Sequence, residues 1–261
     1  MVKAMQQRIV VILIVLTVVA ISILLSLHDI MIIPLVAIEN KLREMFIYYS
    51  YNTANPISAL VPAIVNAIIW DFRGIDTFYE TVVLFTSIIS LAVVYYNYSN
   101  GLDREALDRV RLSPIAMTVF RIVIPVAIAI AISLAINGHR TPGGGFQGGA
   151  VVAAMVAIGI AIYSAQEIYI KQFEYSKLIS IRSIGLLAII VTAMIPVIRG
   201  YILGSHGYIF QNQYKPGAID GVSYYIDGVR VSGVLPIYNV LEMVIVATSF
   251  ILVLMLLYRR Y

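Results

Sequence analysis

Six runs of about twenty apolar residues, separated by short stretches that hold most of the charge, constrain this chain more than any other feature of it. A hydrocarbon core about 30 Å thick is crossed by about twenty helical residues. The runs are Ile9 to Leu27, Phe78 to Tyr98, Pro114 to Asn137, Gly149 to Ala165, Ile181 to Leu203 and Leu235 to Tyr258. A seventh, Pro56 to Trp70, reaches only about 22 Å at helical rise and is interrupted by Pro62. It reads as a re-entrant or interfacial half-helix. Only 12% of the 261 residues are charged, half the roughly 25% with which a globular domain dresses its surface. The surface therefore faces lipid. The expected fold is an all-α integral membrane protein of six transmembrane helices plus the half-helix.

The first run follows Lys3 and Arg8, as a signal peptide would. Its unbroken apolar length and the lack of a small-residue cleavage pattern favour a span. With six spans, one side receives Lys3, Arg8, Arg104, Arg109, Arg111, Lys171, Lys177, Arg182, Arg259 and Arg260. The other receives Lys41, Arg43, Arg73, Arg140, Lys215 and Arg230. The positive-inside rule then puts both termini in the cytoplasm. If the short run also crossed, basic Lys3 and Arg8 would stand on the opposite side from the C-terminus. Tyr95, Tyr96, Tyr98, Tyr201, Tyr258 and Tyr261 fall near span ends, where an amphipathic ring is favoured.

The chain has no cysteine, which excludes a disulfide frame, a thiolate metal site and a cysteine-ligated iron-sulfur cluster. No cofactor is expected, and any redox chemistry belongs to another chain. The excess of 18 Lys and Arg over 14 Asp and Glu is small and unclustered, so no nucleic-acid partner is expected. The most charged stretch, 99–113, reads as a cytoplasmic linker with a short helix from Asp103 to Arg111, joining a module at 1–98 to another at 114–261. The two halves show no internal repeat. Loops from His28 to Asn55 and from Gly204 to Gly233 lie outside, the latter with Asp220-Gly221 and Asp227-Gly228 turns and a hairpin around Tyr224 to Val231.

Three groups of residues are candidates for chemistry. Asp71, Arg73, Asp76 and Glu80 lie between the half-helix and a full span, where ionisable groups are costly unless paired or hydrated. Structurally, Thr77 and Glu80 have capping-box spacing, and Arg73 paired with Asp71 or Asp76 would pin the turn. Functionally, Glu80 would carry a proton or cation beside a hydrated cleft. The second group is the glycine-rich stretch Gly138 to Gly149, with His139 at its start; it lacks the lysine of a nucleotide P-loop. From it runs a small-residue stripe, Gly145, Gly149, Ala153, Ala157 and Ala161, which lets another helix approach closely. His139 could relay protons near neutral pH or simply complement a helix C-terminus. The third is Glu242, about 10 Å inside the last span. It is either a functional acid or a protonated carboxyl bonded to a neighbouring helix. Arg121 lies near a span end and can snorkel.

Two of these motifs carry a resemblance. Asn66 to Leu84, with Asp71-Phe72-Arg73-Gly74 and Asp76-Thr77-x-x-Glu80, resembles the C-terminal part of the large subunit of Mrp-type multi-subunit Na+/H+ antiporters. Phe78-Tyr79 stands where Leu-Gly is usual in that family. The half from Arg111 to about Gly204, with Gly138-His139-x-x-Pro142-Gly143-Gly144-Gly145-Phe146-x-Gly148-Gly149, is similar to the B-type small subunit of these antiporters. The resemblance implies a non-catalytic membrane subunit packed beside large antiporter-like subunits and other small ones. Such modules also occur in archaeal membrane-bound hydrogenases and sulfur-reducing complexes. It implies Na+ or H+ as the ion and the position of Glu80 as part of an ion route. A purely structural subunit, and a self-sufficient carrier, are the other readings.

Overall fold

The computed structural model describes residues 16, 41–99, 113–163, 174–218 and 221–258. The expected first span, nearly all of the 99–113 linker and Lys171 lie outside the described residues. The chain divides into two compact units, Met1–Glu44 and Met45–Tyr261. The second unit holds the end of α1 (Lys41–Ser50) and all of α2 (Ile64–Ala67) continuing as a π-helical turn (Ile68–Phe72), α3 (Gly74–Ser99), α4 (Pro114–Asn137), α5 (Gly145–Tyr163), α6 (Tyr175–Ile202), β1 (Ser223–Ile226), β2 (Val229–Ser232) and α7 (Leu235–Tyr258). Helix α1 begins in the first unit and occupies part of the expected outer loop from His28 to Asn55.

Among the described residues, five helices, α3 to α7, are long and apolar enough to cross a membrane. Helix α7 is the hub and packs against α3, α4, α5 and α6. Lipid supplies no hydrophobic drive between helices, so close van der Waals approach has to hold them. Glycines provide it. A Cβ on Gly148 would lie 2.6 Å from the Ala131 carbonyl oxygen of α4, and one on Gly149 would lie 2.7 Å from that of Met243 on α7. Helix α5 is thereby clamped between α4 and α7. On α6, Gly185 does the same against Ile245 of α7. The small-residue stripe is buried at Gly145, Gly149 and Ala153, but Ala157 is half-buried and Ala161 exposed; further along α5 the buried residues are Gly159, Ile160 and Ile162.

The half-helix is shorter than its apolar run. The residues before Ile64 are irregular, because Pro56 and Pro62 each lack an amide hydrogen. A single lysine ties both ends of the segment: Lys215 Nζ donates to the Ile57 carbonyl at 2.8 Å and to Asp71 Oδ2 at 3.3 Å. The segment therefore leaves and returns at one end of the bundle. Its Trp70 stacks on Tyr238 with ring centroids 4.9 Å apart, and Phe210 joins them. Those rings centre a core that also includes Val61, Ile189, Leu235 and Ile245. A second cluster, Ile88, Leu178, Ile251, Leu252 and Met255, fills the other end.

The capping box at Thr77 does not form. Helix α3 begins at Gly74, four residues before the apolar run, because Arg73 (φ −132°, ψ 34°) breaks the preceding turn. Thr77 is already inside the helix, and its hydroxyl donates to the Ile69 carbonyl at 2.6 Å, binding α3 to the half-helix. Arg182, counted with the charges of one side although it falls within the run Ile181 to Leu203, lies inside α6, 1% exposed. Its guanidinium donates to the Phe85 carbonyl at 3.1 Å and lies over the Phe85 ring. Arg121 donates to the Tyr163 hydroxyl at 3.2 Å. The hairpin is present, β1 pairing with β2 in antiparallel register from Ser223↔Ser232 to Ile226↔Val229. Asp227 and Gly228 both have positive φ, 48° and 80°, as a two-residue type I′ turn requires.

Candidate functional site

The site lies where the half-helix, the glycine turn between α4 and α5, and the first turns of α7 meet. Asn66 Nδ2 donates to the Gly143 carbonyl at 3.1 Å. Trp70 Nε1 donates to Asn239 Oδ1 at 2.9 Å, across 169 positions of sequence. These two bonds hold the half-helix to both later elements. Sequence reasoning missed Asn66, Trp70 and Asn239. The available signal was that Trp70 is the chain's one tryptophan and that each asparagine is a polar residue within an apolar run.

Glu242 lies one turn beyond Asn239 and is 7% exposed. The backbone amide of Phe146, at the start of α5, donates to its carboxylate. Helix N-termini present unsatisfied N–H groups and a positive dipole end, so an acid is well matched there. Gly145 makes the approach possible. A Cβ at that position would overlap the Asn239 carbonyl oxygen and lie 2.6 Å from Glu242 Oε2. Glu80 of α3 is within electrostatic reach of Glu242, but it stands on the exposed flank of its helix. Ser87, two turns along, and Ser90 share that flank, with hydroxyls bonded to the carbonyls of Val83 and Thr86.

The other acids divide. Arg73 pairs with Asp76 at 2.5 Å on the exposed surface. Asp71 pairs instead with Lys215, and both side chains are largely enclosed. Burial raises the Asp71 pKa, against the opposing pull of the Lys215 charge and hydrogen bond. His139 is completely buried. Its Nδ1–H donates to the Ile136 carbonyl at 3.0 Å, leaving Nε2 to accept from the Tyr224 hydroxyl at 2.7 Å. In the neutral imidazole that pair of bonds selects the Nδ1–H tautomer, with Nε2 as the acceptor. Burial, with some repulsion from Arg140, lowers the His139 pKa from 6.5 to about 4, although the bond to Ile136 opposes the shift. His139 thus ties the glycine turn to the hairpin. Its carbonyl also accepts from the Ala63 amide at 3.1 Å, just before the half-helix. Among the described residues no group of His, Asp and Glu could hold a metal ion.

Comparison with known proteins bears on residues 115–252, which match the family model described as a domain related to the MnhB subunit of Na+/H+ antiporter. An uncharacterized protein of Methanocaldococcus jannaschii is 30% identical over 159 residues, 55% of this chain and 60% of that protein. The chain thus spans about three-fifths of that relative's length. Two solved structures share the fold. One comes from a membrane-bound sulfane sulfur reductase, an archaeal respiratory membrane complex (TM-score 0.67, 19% identity, 94% of this chain and 97% of that one). The other comes from the Mrp complex of a Dietzia species (TM-score 0.64, 18% identity, 94% of this chain and 25% of that one).

Proposed function

Because this multi-pass membrane chain belongs to the family of domains related to the MnhB subunit of Na+/H+ antiporters, we propose that it is a non-catalytic membrane subunit of a multi-subunit cation/proton-translocating complex. That complex is either a free-standing Mrp-type antiporter or the ion-pumping module of a respiratory complex. Its partners are large antiporter-like subunits and other small membrane subunits. It has six spans with both termini in the cytoplasm, a module at 1–98 like the C-terminal part of a large subunit, and an MnhB-like module at 114–261.

The observation that carries this reading is Glu80, a carboxylate on the outer flank of an apolar helix. A carboxylate facing acyl chains is costly enough that such groups face a water-filled cavity or a partner. A second subunit seated on that flank, over Glu80, Ser87 and Ser90, would enclose an ion route between the two chains. Glu80 is its proton or sodium carrier; Asp71, Arg73 and Asp76 frame its entrance, and His139 holds the turn beside it. Glu80→Gln in the assembled complex, reconstituted into vesicles, is expected to abolish or greatly impair sodium-dependent proton exchange while the complex still purifies whole. Normal exchange by that variant would reject the carrier role.

The exposed apolar faces of α4 and α6, among them Ile115, Ile122, Ile184 and Ile198, favour a second reading, a scaffold that fills space between pump subunits. Under it Glu80→Gln would lower assembly and leave turnover per complex unchanged.

A further inference from the structure

Arg121 is an exposed cation within the apolar helix α4, and no carboxylate among the described residues pairs with it. A charge in a span is costly unless it is paired or reaches water. The contact it does make is to a neutral group. Its Nε–H donates to the Tyr163 hydroxyl at 3.2 Å, and that hydroxyl donates in turn to the Met117 carbonyl at 3.2 Å. The Phe120 ring packs edge-on to the Tyr163 ring, with centroids 5.9 Å apart, and holds it in place. A guanidinium carries five N–H donors in one rigid plane. With Nε engaged, the two Nη groups remain as an open fork.

That fork stands at the edge of the membrane. Arg121 follows the start of α4 at Pro114 by about 10 Å of helical rise. Side chains on a helix tilt toward its N-terminus, so the guanidinium reaches back toward the headgroups. Tyr163 is the last residue of α5, which packs against α4 and returns to the same edge, where tyrosine is favoured. The described acid nearest the start of α6, Glu174, is already paired with Lys177 at 2.9 Å.

We propose that Arg121, oriented by Tyr163, binds the phosphate of a membrane phospholipid whose acyl chains lie along the exposed side of α4. The planar fork matches two phosphate oxygens. The exposed residues that share Arg121's side of the helix are Thr118, Pro125, Ile128 and Ile132. Thr118 spends its hydroxyl on the Pro114 carbonyl, so that side offers a chain of carbon atoms apolar contact below the fork. A second helix would need small residues there to approach closely. The small residues of α4, Ala127, Ala131 and Ala135, are buried instead, on the side where Gly148 of α5 meets the Ala131 carbonyl. Lipid therefore fits this side better than a partner helix. The site is independent of Glu80 as an ion carrier. A partner subunit's carboxylate at Arg121, which the scaffold reading would supply, is the competing outcome.

The test titrates the intact complex in detergent with dioleoyl phosphatidylglycerol and counts bound lipid by native mass spectrometry. Dioleoylglycerol, with the same chains and no phosphate, and inorganic phosphate are the controls. Lipid held elsewhere is common to parent and variants, so the difference between them isolates this site. Arg121→Gln is expected to weaken one phosphatidylglycerol site per copy of this chain about tenfold. Arg121→Lys keeps the charge without the fork and should recover only part of the affinity. Tyr163→Phe removes the hydroxyl that sets the guanidinium plane and should weaken the site less than Arg121→Gln does. Parental phosphatidylglycerol binding in Arg121→Gln would overturn the proposal. So would dioleoylglycerol bound as tightly at that site, or inorganic phosphate displacing nothing less than the whole lipid at equal concentration. Loss of a subunit from Arg121→Gln with the lipid count unchanged would seat a partner's carboxylate there and overturn it as well. If Arg121→Gln fails to assemble, Arg121→Lys and Tyr163→Phe decide, and parental affinity in both overturns it.

Discussion

Trp70 shows what one residue does at the hinge between the half-helix and the bundle. Its ring is fully buried against Tyr238 and Phe210, and its indole N–H occupies Asn239 Oδ1. Removing one partner of a buried hydrogen bond costs about 1–3 kcal/mol, whereas replacing both by apolar groups can be nearly neutral. Trp70→Phe should therefore lower the thermal unfolding midpoint in detergent, followed by circular dichroism. The double variant Trp70→Phe with Asn239→Leu should lose less than the sum of the two single changes. Strict additivity would mean the bond contributes nothing. Of the residues at this site, Glu242 was legible in the sequence because an acid deep in an apolar run contradicts its surroundings. Asn66 and Asn239 were not, since an uncharged amide stands out less in an apolar run than an acid does and its partner lies on a distant segment. Arg182 was legible as the second residue of the run Ile181 to Leu203, but what holds its charge there was not, and only the Phe85 ring and carbonyl explain how it stays inside.

At the scale of elements, the hairpin is held to the bundle by two contacts of different kinds. The Ser232 amide donates to the Leu60 carbonyl at 2.9 Å, and the Tyr224 hydroxyl donates to His139. The second depends on pH. With a pKa lowered from 6.5 to about 4, folded His139 binds fewer protons than the unfolded chain between those values. Its stabilising contribution is therefore complete above about pH 6.5 and is lost as pH falls toward 4. Amide exchange at Ser232, corrected for the chemical rate, should speed up over that window. His139→Gln, which does not titrate, should flatten the response. An unchanged pH dependence in that variant would remove His139 from the account. The hairpin turn was readable from Asp227-Gly228 because only a few residues tolerate positive φ in succession. The start of α3 was not readable. Apolar periodicity begins at Phe78, but the helix begins at Gly74, where a Cβ would lie 2.7 Å from the Phe210 ring. That boundary is set by a tertiary contact between residues far apart in the chain, and Phe210 itself adopts a positive φ of 61° to make it.

Among the described residues, the polar ties that hold the loops and the half-helix gather at one end of the second unit, whereas Arg121 and Arg182 bond nearer the other. The Lys215 bridge to Ile57 and Asp71, the His139 bond to Tyr224, the Leu60 contact with Ser232 and the Asn66 bond to the glycine turn all gather where α4 ends and α7 begins. At the opposite end α6 begins with the exposed Glu174 and Lys177 pair. Helix α6 has 28 residues, about 42 Å at helical rise, enough to cross the bilayer with a margin. The two ends then face different compartments, and the orientation proposed above from the excess of Lys and Arg puts the α6 start in the cytoplasm. Leaving the buried Arg182 out of the tally reduces it there from ten to nine, still above the six of the other side. Since the chain has no cysteine, single introduced thiols report cleanly. In intact cells a membrane-impermeant maleimide should modify Tyr225→Cys, at a position 69% exposed on the hairpin, and should reach Glu174→Cys only after the membrane is opened. The reverse pattern would invert the orientation, and with it the side from which Asp71 and Glu80 are entered. Labelling of both without permeabilisation would show that α6 does not span at all.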